Sequence, residues 1–466
     1  MNVSAKALEE KNDPREVFGW LMYDWANSAF FTTVVGSLFG PYLTRLAQAS
    51  VGDNGVVLDF GFLGAVTAKS LSTFAVSVSV FSQVFILPIL GSIADYSHLK
   101  KRLMAIFCYI AVTATCLLYF TAGRFYLIGA LFFIIANICY GASVVFYNAF
   151  LPEITTEDQR DKVSSRGFAL GYLGGGLLLA LNFVFVAVAP RLGISTGMAV
   201  RLSLLSAGLW WGGFAIITFT RLKTRAAARS LPEGKSFLTI GFTELGSTAR
   251  ELFRLRHTLQ YLIGYLLYND GIQTVIGAAS VFLAQELFVA RGMEAPQSFL
   301  LGIFLMVQFV GIGGALLFER IAHWLGTKNA ILISLVIWAG IVIYAYGFLQ
   351  SMRQAWVMAG MIAIVLGGSQ ALSRSLFSRM IPKGREASFF GIYEISERGT
   401  SWIGPLVFSI VVASTGSYRQ AVLSLIFFFV AGMIILFFTN TDRAVHEAGN
   451  ALPEEVERER VRKGLA

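Results

Sequence analysis

Leu21-Met-Tyr-Asp24-Trp-Ala-Asn27-Ser28 and Leu267-Tyr-Asn-Asp270-Gly-Ile-Gln273-Thr274 set an aspartate at the same point of one local pattern, L-x-x-D-x-x-[N/Q]-[S/T], inside two strongly apolar stretches. An ionisable group in such surroundings is costly, and function is its default reading. The pattern returns six apolar stretches later, in the other half of the chain, which suggests a duplicated transporter core.

Composition requires a membrane. Of 466 residues 56% are hydrophobic and only 14% charged, with 40 Phe, and the mean hydropathy is +0.66. A soluble chain of this size has no need of such apolarity. Crossing a bilayer core takes roughly 20 helical residues. Twelve stretches of that size are expected, near 17–45, 70–94, 103–122, 125–151, 166–190, 200–220, 258–287, 297–319, 328–349, 354–381, 388–414 and 418–439. The runs are continuously apolar rather than alternating, so helices are implied and barrel strands are not. The fold class is an all-α membrane protein of twelve transmembrane helices in two pseudo-symmetric six-helix bundles.

Charge sets the expected orientation. Most of the 37 Lys and Arg fall in alternate loops and at the termini, while each intervening loop holds one or two; Arg374 and Arg398 stand at helix depth. This fits the positive-inside rule with both termini cytoplasmic. It also accounts for the net charge of +9, so the expected surroundings are a lipid bilayer, with no nucleic acid. The organisation expected is an N-terminal arm (1–16), a first bundle (17–220), a cytoplasmic linker (221–257), a second bundle (258–439) and a tail (440–466). Cys108, Cys116 and Cys139 all lie in the third and fourth spans and read as small apolar residues. The polar N-terminus lacks the plan of a cleaved signal, so the first span is expected to stay in place. No metal site and no cofactor are expected.

Between the second and third spans stands Gly91-Ser-Ile-Ala-Asp95-Tyr-Ser-His-Leu-Lys100-Lys101-Arg102. This resembles the loop of the major facilitator superfamily, G-x-x-x-D followed by a basic cluster. A weaker copy lies in the second half, with Gly314, Glu319, Arg320, Gly326 and Lys328. YDWANSAF at 23–30, YNAFLPEI at 147–154, RGFALGYLGGG at 166–176, YNDGIQTV at 268–275 and GGSQALSRSLFSRMIP at 367–382 resemble one branch, the vacuole-effluxer-like group named for a fungal vacuolar amino-acid exporter.

The resemblance implies that the first, fourth, seventh and tenth helices line a central cavity. Those helices do carry polar stripes. Asp24, Asn27, Ser28 and Phe31 follow i, i+3, i+4, i+7 on the first, with Tyr23 beside them, and Asp270, Gln273, Thr274 and Gly277 repeat that spacing on the seventh. The fourth offers Tyr147 and Asn148, and the tenth Gln370, Ser373 and Arg374. Asp24 and Asp270 are the candidates for proton coupling. Arg374 has three readings: it meets a substrate carboxylate, it pairs with Asp24 or Asp270, or it snorkels to the cytoplasm beside Arg379.

The resemblance also implies a gate. In the superfamily the loop aspartate pairs with the start of the eleventh helix, where Glu394, Glu397 and Arg398 cluster, so Asp95 is expected to pair with Arg398, with Gly91, Lys100, Lys101 and Arg102 beside it. The mirrored gate would set Glu319 and Arg320 against Arg166. GYLGGG lacks the Lys-Ser/Thr ending of a phosphate loop and reads as close helix packing. Gly311, Gly313 and Gly314 lack the context of a dinucleotide site. His98, His257, His323 and His446 fall in loops or the tail, which leaves carboxylates as the proton carriers. No constellation for bond chemistry is visible, so an enzyme is not expected. The expected function is secondary transport of a small-molecule substrate by alternating access in the bacterial inner membrane, coupled to a proton, with an amino-acid-like zwitterion exported by a monomer. The alternative is a non-transporting lipid-handling or sensory protein that keeps the fold.

Overall fold

A computed structural model describes residues 11–53, 55–61, 65–96, 99–224, 237–395, 397 and 403–462. Helices dominate because a backbone in lipid must satisfy its hydrogen bonds within the segment. The first span runs as α1 (Pro14–Ala29), a π-helix (Phe30–Leu38) and α2 (Phe39–Val51). A small antiparallel hairpin of β1 (Val56–Asp59) and β2 (Ala65–Thr67) follows. The rest of the first bundle is α3 (Leu71–Asp95), α4 (Lys100–Leu117), α5 (Tyr126–Ile154), α6 (Arg160–Val188) and α7 (Thr196–Arg221). The linker holds α8 (Phe237–Arg254). The second bundle comprises α9 (Arg256–Leu287), α10 (Gln297–Leu325), α11 (Thr327–Gly347), α12 (Met352–Arg379), α13 (Glu386–Glu394), α14 (Ile403–Thr415), α15 (Tyr418–Ser424) and α16 (Ile426–Phe438). The tail forms α17 (Thr441–Glu447) and α18 (Pro453–Arg462).

Among the described residues, ten helices are long and apolar enough to cross a membrane. The other two expected spans are the first and the eleventh. In the first, the β-branched run Thr32-Thr33-Val34-Val35 crowds the helix, and the Ser37 hydroxyl donates to the Thr32 carbonyl at 2.8 Å across the widened turn. Of the eleventh, α13 and α14 lie among the described residues. The fifth begins at Arg160 rather than 166, because its polar first turn is satisfied: Arg160 meets Glu157 at 3.0 Å and the Ser378 carbonyl at 3.1 Å.

Glycines set the closest approaches. In GYLGGG, a Cβ on Gly174 would stand 2.5 Å from the Trp25 carbonyl oxygen and one on Gly175 3.0 Å from that of Ser28, so α6 lies backbone to backbone on α1. The second such seam joins the bundles. A Cβ on Gly91 of α3 would meet the Ala387 oxygen at 2.2 Å, and one on Gly391 of α13 the Leu87 oxygen at 2.9 Å.

All loops rich in Lys and Arg gather at one end of the molecule, here the basic end. The arm is pinned there: Asn12 donates from its backbone to the Ile154 carbonyl at 2.7 Å and from its amide to Thr156 at 2.7 Å, and Lys11 donates to the Pro152 carbonyl at 2.8 Å. Burial, with Arg160 nearby, lowers the Lys11 amine from 10.5 to about 8. Between those values the unfolded chain keeps a proton that the folded one has released, so stability should climb as pH rises from about 8 toward 10.5. Lys11→Met should flatten that climb; melting temperatures across this range in wild type and variant test it, and parallel curves would refute it.

Candidate substrate cavity and gates

A cavity of about 420 Å³ lies between the bundles. At its floor Arg374 of α12, nearly fully buried, reaches across to the first bundle. Its Nη2 and Nη1 stand 3.3 and 3.4 Å from Asp24 Oδ2, Nε donates to Ser164 Oγ at 2.9 Å, Nη2 also to the Ser164 carbonyl at 3.0 Å, and Nη1 also to Asn148 Oδ1 at 3.4 Å. The Tyr147 hydroxyl donates to Asp24 Oδ2 at 2.7 Å. Asn148 in turn donates to Glu394 Oε1 at 2.8 Å. The guanidinium lies over the rings of Phe168, Trp20 and Tyr147, with centroids at 4.4, 4.9 and 5.6 Å, contacts that favour a desolvated cation. Gly167 supplies the room, since a Cβ there would meet Asp24 Oδ2 at 2.4 Å. Of the three readings of Arg374, the geometry realises the pair with Asp24.

Asp24, Asn27, Ser28, Phe31, Tyr147, Asn148, Gln273, Gln370 and Arg374 line the cavity. Four sequence candidates do not. Tyr23 is fully buried within the first bundle against Tyr147 and Phe219. Ser373 turns into the second bundle, where its hydroxyl meets that of Tyr268 at 2.6 Å. Asp270 and Thr274 face α14: Asp270 Oδ2 accepts from the Gly404 amide at 2.6 Å, and a Cβ on Gly404 would stand 2.1 Å from the Thr274 hydroxyl. The repeated pattern therefore has two destinations. Asp24 sits against Gly167 and Gly171 of α6 at the cavity floor, whereas Asp270 takes the Gly404 amide of α14 and keeps its buried Oδ1 without a hydrogen-bond partner among the described residues.

The basic end is shut. Both oxygens of Asp95, which is 2% exposed, accept from the first amides of α13, Ala387 and Ser388, each at 2.9 Å, and from the Ser388 hydroxyl at 2.5 Å. A carboxylate at a helix N-terminus satisfies orphan amides and complements the dipole. Asp95 thus holds the helix start itself; Arg398 lies outside the described residues, as does His98. Gly91 permits this contact. Lys100 pairs with Glu153, Lys101 donates to the Leu222 carbonyl at 2.6 Å, and Arg102 is exposed. Glu394 and Glu397 lie away from the gate: the first is buried on Asn148 and the second lines the cavity. The mirrored closure uses other residues than Glu319, Arg320 and Arg166. Asp161 of α6 takes Arg379 at 2.8 Å and the Thr327 hydroxyl at 2.7 Å, while Arg166 and Arg320 are exposed. Linker helix α8 adds a clamp, with Glu244, Glu251, Ser247 and Thr248 all on Arg385.

Ser164, Phe168 and Tyr172 of the fifth helix belong to the site yet carry no charge. Their signal is spacing: they fall at i, i+4 and i+8 beside Gly167 and Gly171, on one face. The cavity rises from its floor toward the end opposite the basic loops, between Val35 and Val80 on one wall and Leu300, Phe304 and Met358 on the other.

Two helical bundles around a central cavity, gated by G-x-x-x-D at one end, define a major facilitator transporter, an integral multi-pass membrane protein. The solved structures agree in fold: a fucose transporter, FucP, in the outward conformation aligns with a TM-score of 0.68 at 12% identity over 92% of this chain and 99% of that one. The human organic anion transporter MFSD10 aligns at 0.66 and 14% identity over 91% and 99%. The chain belongs to the vacuole effluxer Atg22-like family, whose pattern it matches over residues 12–449. It is 31% identical over 440 residues to YxiO, an MFS-type transporter of Bacillus subtilis, covering 93% of this chain and 97% of that one. It is 24% identical over 550 residues to autophagy-related protein 22-1 of Penicillium rubens, covering 93% and 91%. YxiO and both solved structures are transporters, and the chain is one rather than an enzyme.

Proposed function

We propose that this transporter is a proton-coupled secondary carrier of the bacterial cell membrane that exports an amino-acid-like zwitterion by alternating access. One observation carries the reading: the Asp24–Arg374 ion pair joins the two bundles at the closed end of the cavity. A proton delivered to Asp24 cancels the charge that holds Arg374, and the bond between bundles weakens as cargo or proton binds. All three guanidinium nitrogens already donate, so a cargo carboxylate gains Arg374 only by displacing Asp24, which ties binding to movement. Asp270, whose buried Oδ1 has no hydrogen-bond partner among the described residues, is a second candidate carrier of the proton. The basic end is taken as cytoplasmic, with both termini inside, and the described state then faces outward. One chain supplies both bundles, so a monomer is the working unit. The effluxer description of the family supports export.

Flux of radiolabelled amino acids in proteoliposomes, with and without an imposed pH gradient, tests this. Several-fold acceleration by the gradient is expected. Rates indifferent to the gradient would remove the coupling, and absence of any amino-acid flux would remove the cargo.

A further inference from the structure

A second cavity of about 620 Å³ runs between the bundles beside the first, with Val35, Phe39 and Val76 on one wall and Gly277, Val281 and Phe408 on the other. Val35, Val76 and Gln273 line both cavities, so the two spaces adjoin at these side chains. Their chemistry differs. Charged groups of the central cavity include the Asp24–Arg374 pair at the floor, whereas no charged residue among those described lines the side groove. Val76 and Val281 are 38% and 49% exposed, on flanks that face the hydrocarbon of the bilayer in a membrane-spanning bundle.

We propose that the central cavity and the side groove form one branched substrate site, and that the cargo is amphipathic: a polar head at the Asp24–Arg374 floor and an alkyl or aryl tail past Gln273 into the groove. This rests on reading the central cavity as the carrier's substrate site. Because the two spaces adjoin at Val35, Val76 and Gln273, a tail covalently joined to a head can occupy both. A lipid chain alone would fill the groove and leave the polar floor to water. Small, wholly polar solutes such as sugars would leave the groove empty and forgo the stabilisation of apolar burial.

The test measures binding of straight-chain 2-amino acids, from alanine to 2-aminooctanoate, to the purified full chain. Affinity is expected to rise about four-fold per added methylene until the groove is full. Gly277 has open space around the position of a Cβ, so Gly277→Trp places a ring in the groove and should bring the ratio of 2-aminooctanoate to alanine affinity toward unity. Ser409→Trp, from the opposite wall, should do the same. A flat series, or a ratio unchanged in both variants, overturns the proposal. So does octanol binding as tightly as 2-aminooctanoate, which would mark the groove as a lipid seat. Alanine counterflow in proteoliposomes separates the two readings: its presence beside a flat series sinks only the branched site, and its absence counts against the carrier itself.

Discussion

Asp24→Asn is expected to abolish gradient-driven transport and to lower stability by about 3–5 kcal/mol, the usual cost of leaving a buried charge without its partner. Arg374 is 4% exposed, and among the described residues Asp24 is the one carboxylate that forms an ion pair with its guanidinium. The asparagine is nearly isosteric, so the Gly167 gap still fits it and the loss is electrostatic rather than steric. The double variant Asp24→Asn/Arg374→Gln should recover most of the lost stability, because both charges are gone, while transport stays absent. Thermal unfolding of wild type, Asp24→Asn, Arg374→Gln and the double variant, read as a double-mutant cycle, and flux in proteoliposomes check this. Wild-type stability in the single variant would show that Arg374 does not depend on Asp24, and retained coupling would remove Asp24 from the mechanism.

Asp95→Ala is the second large effect, and it concerns the gate. The variant removes both amide contacts and the Ser388 hydroxyl contact at the start of α13. Hydrogen bonds to a charged group contribute about 1.5–3 kcal/mol each, and every 1.4 kcal/mol is roughly ten-fold in an equilibrium. The closed basic end should therefore open by at least about ten-fold. A cysteine replacing Ser378, which is 1% exposed at that end, in a chain lacking Cys108, Cys116 and Cys139, reports the change through its labelling rate with an impermeant thiol reagent. Arg385→Ala, which frees the clamp of α8, should raise the same rate by less. Unchanged labelling in the Asp95 variant would mean that the gate is held elsewhere.

Much of this was readable in the sequence, for physical reasons. Hydropathy fixes helices because lipid leaves the backbone no alternative, and G-x-x-x-D is legible because its glycine and aspartate answer two constraints at once: Gly91 admits the backbone of Ala387, and Asp95 caps the amides of Ala387 and Ser388. Finer features were less legible. A π-helix over Phe30–Leu38 leaves hydropathy unaltered. Nor does hydropathy mark the contact of Asp270 with the Gly404 amide. Helical spacing placed Asp24 and Asp270 on equivalent faces, but the neighbour met by a face depends on helix rotation, which a stripe of four residues does not fix. Glu394 and Glu397 were drawn to the gate by their closeness in sequence to Arg398, whereas α13 carries them inward, past Asp95 and up to Asn148 and the cavity.

The crossing of Gly91 and Gly391 has an energetic meaning. Where two helices meet through carbonyls and α-carbons, parting them uncovers little hydrocarbon, and the penalty that scales with apolar area stays small. At this crossing the polar contacts of Asp95 carry the greater weight, each of the same order as a bound proton or a solute's head group. A balance with such light pans tips for a light load. The chain can thus toggle on the binding energy of a small molecule, without the fuel that prising apart an interlocked core would demand.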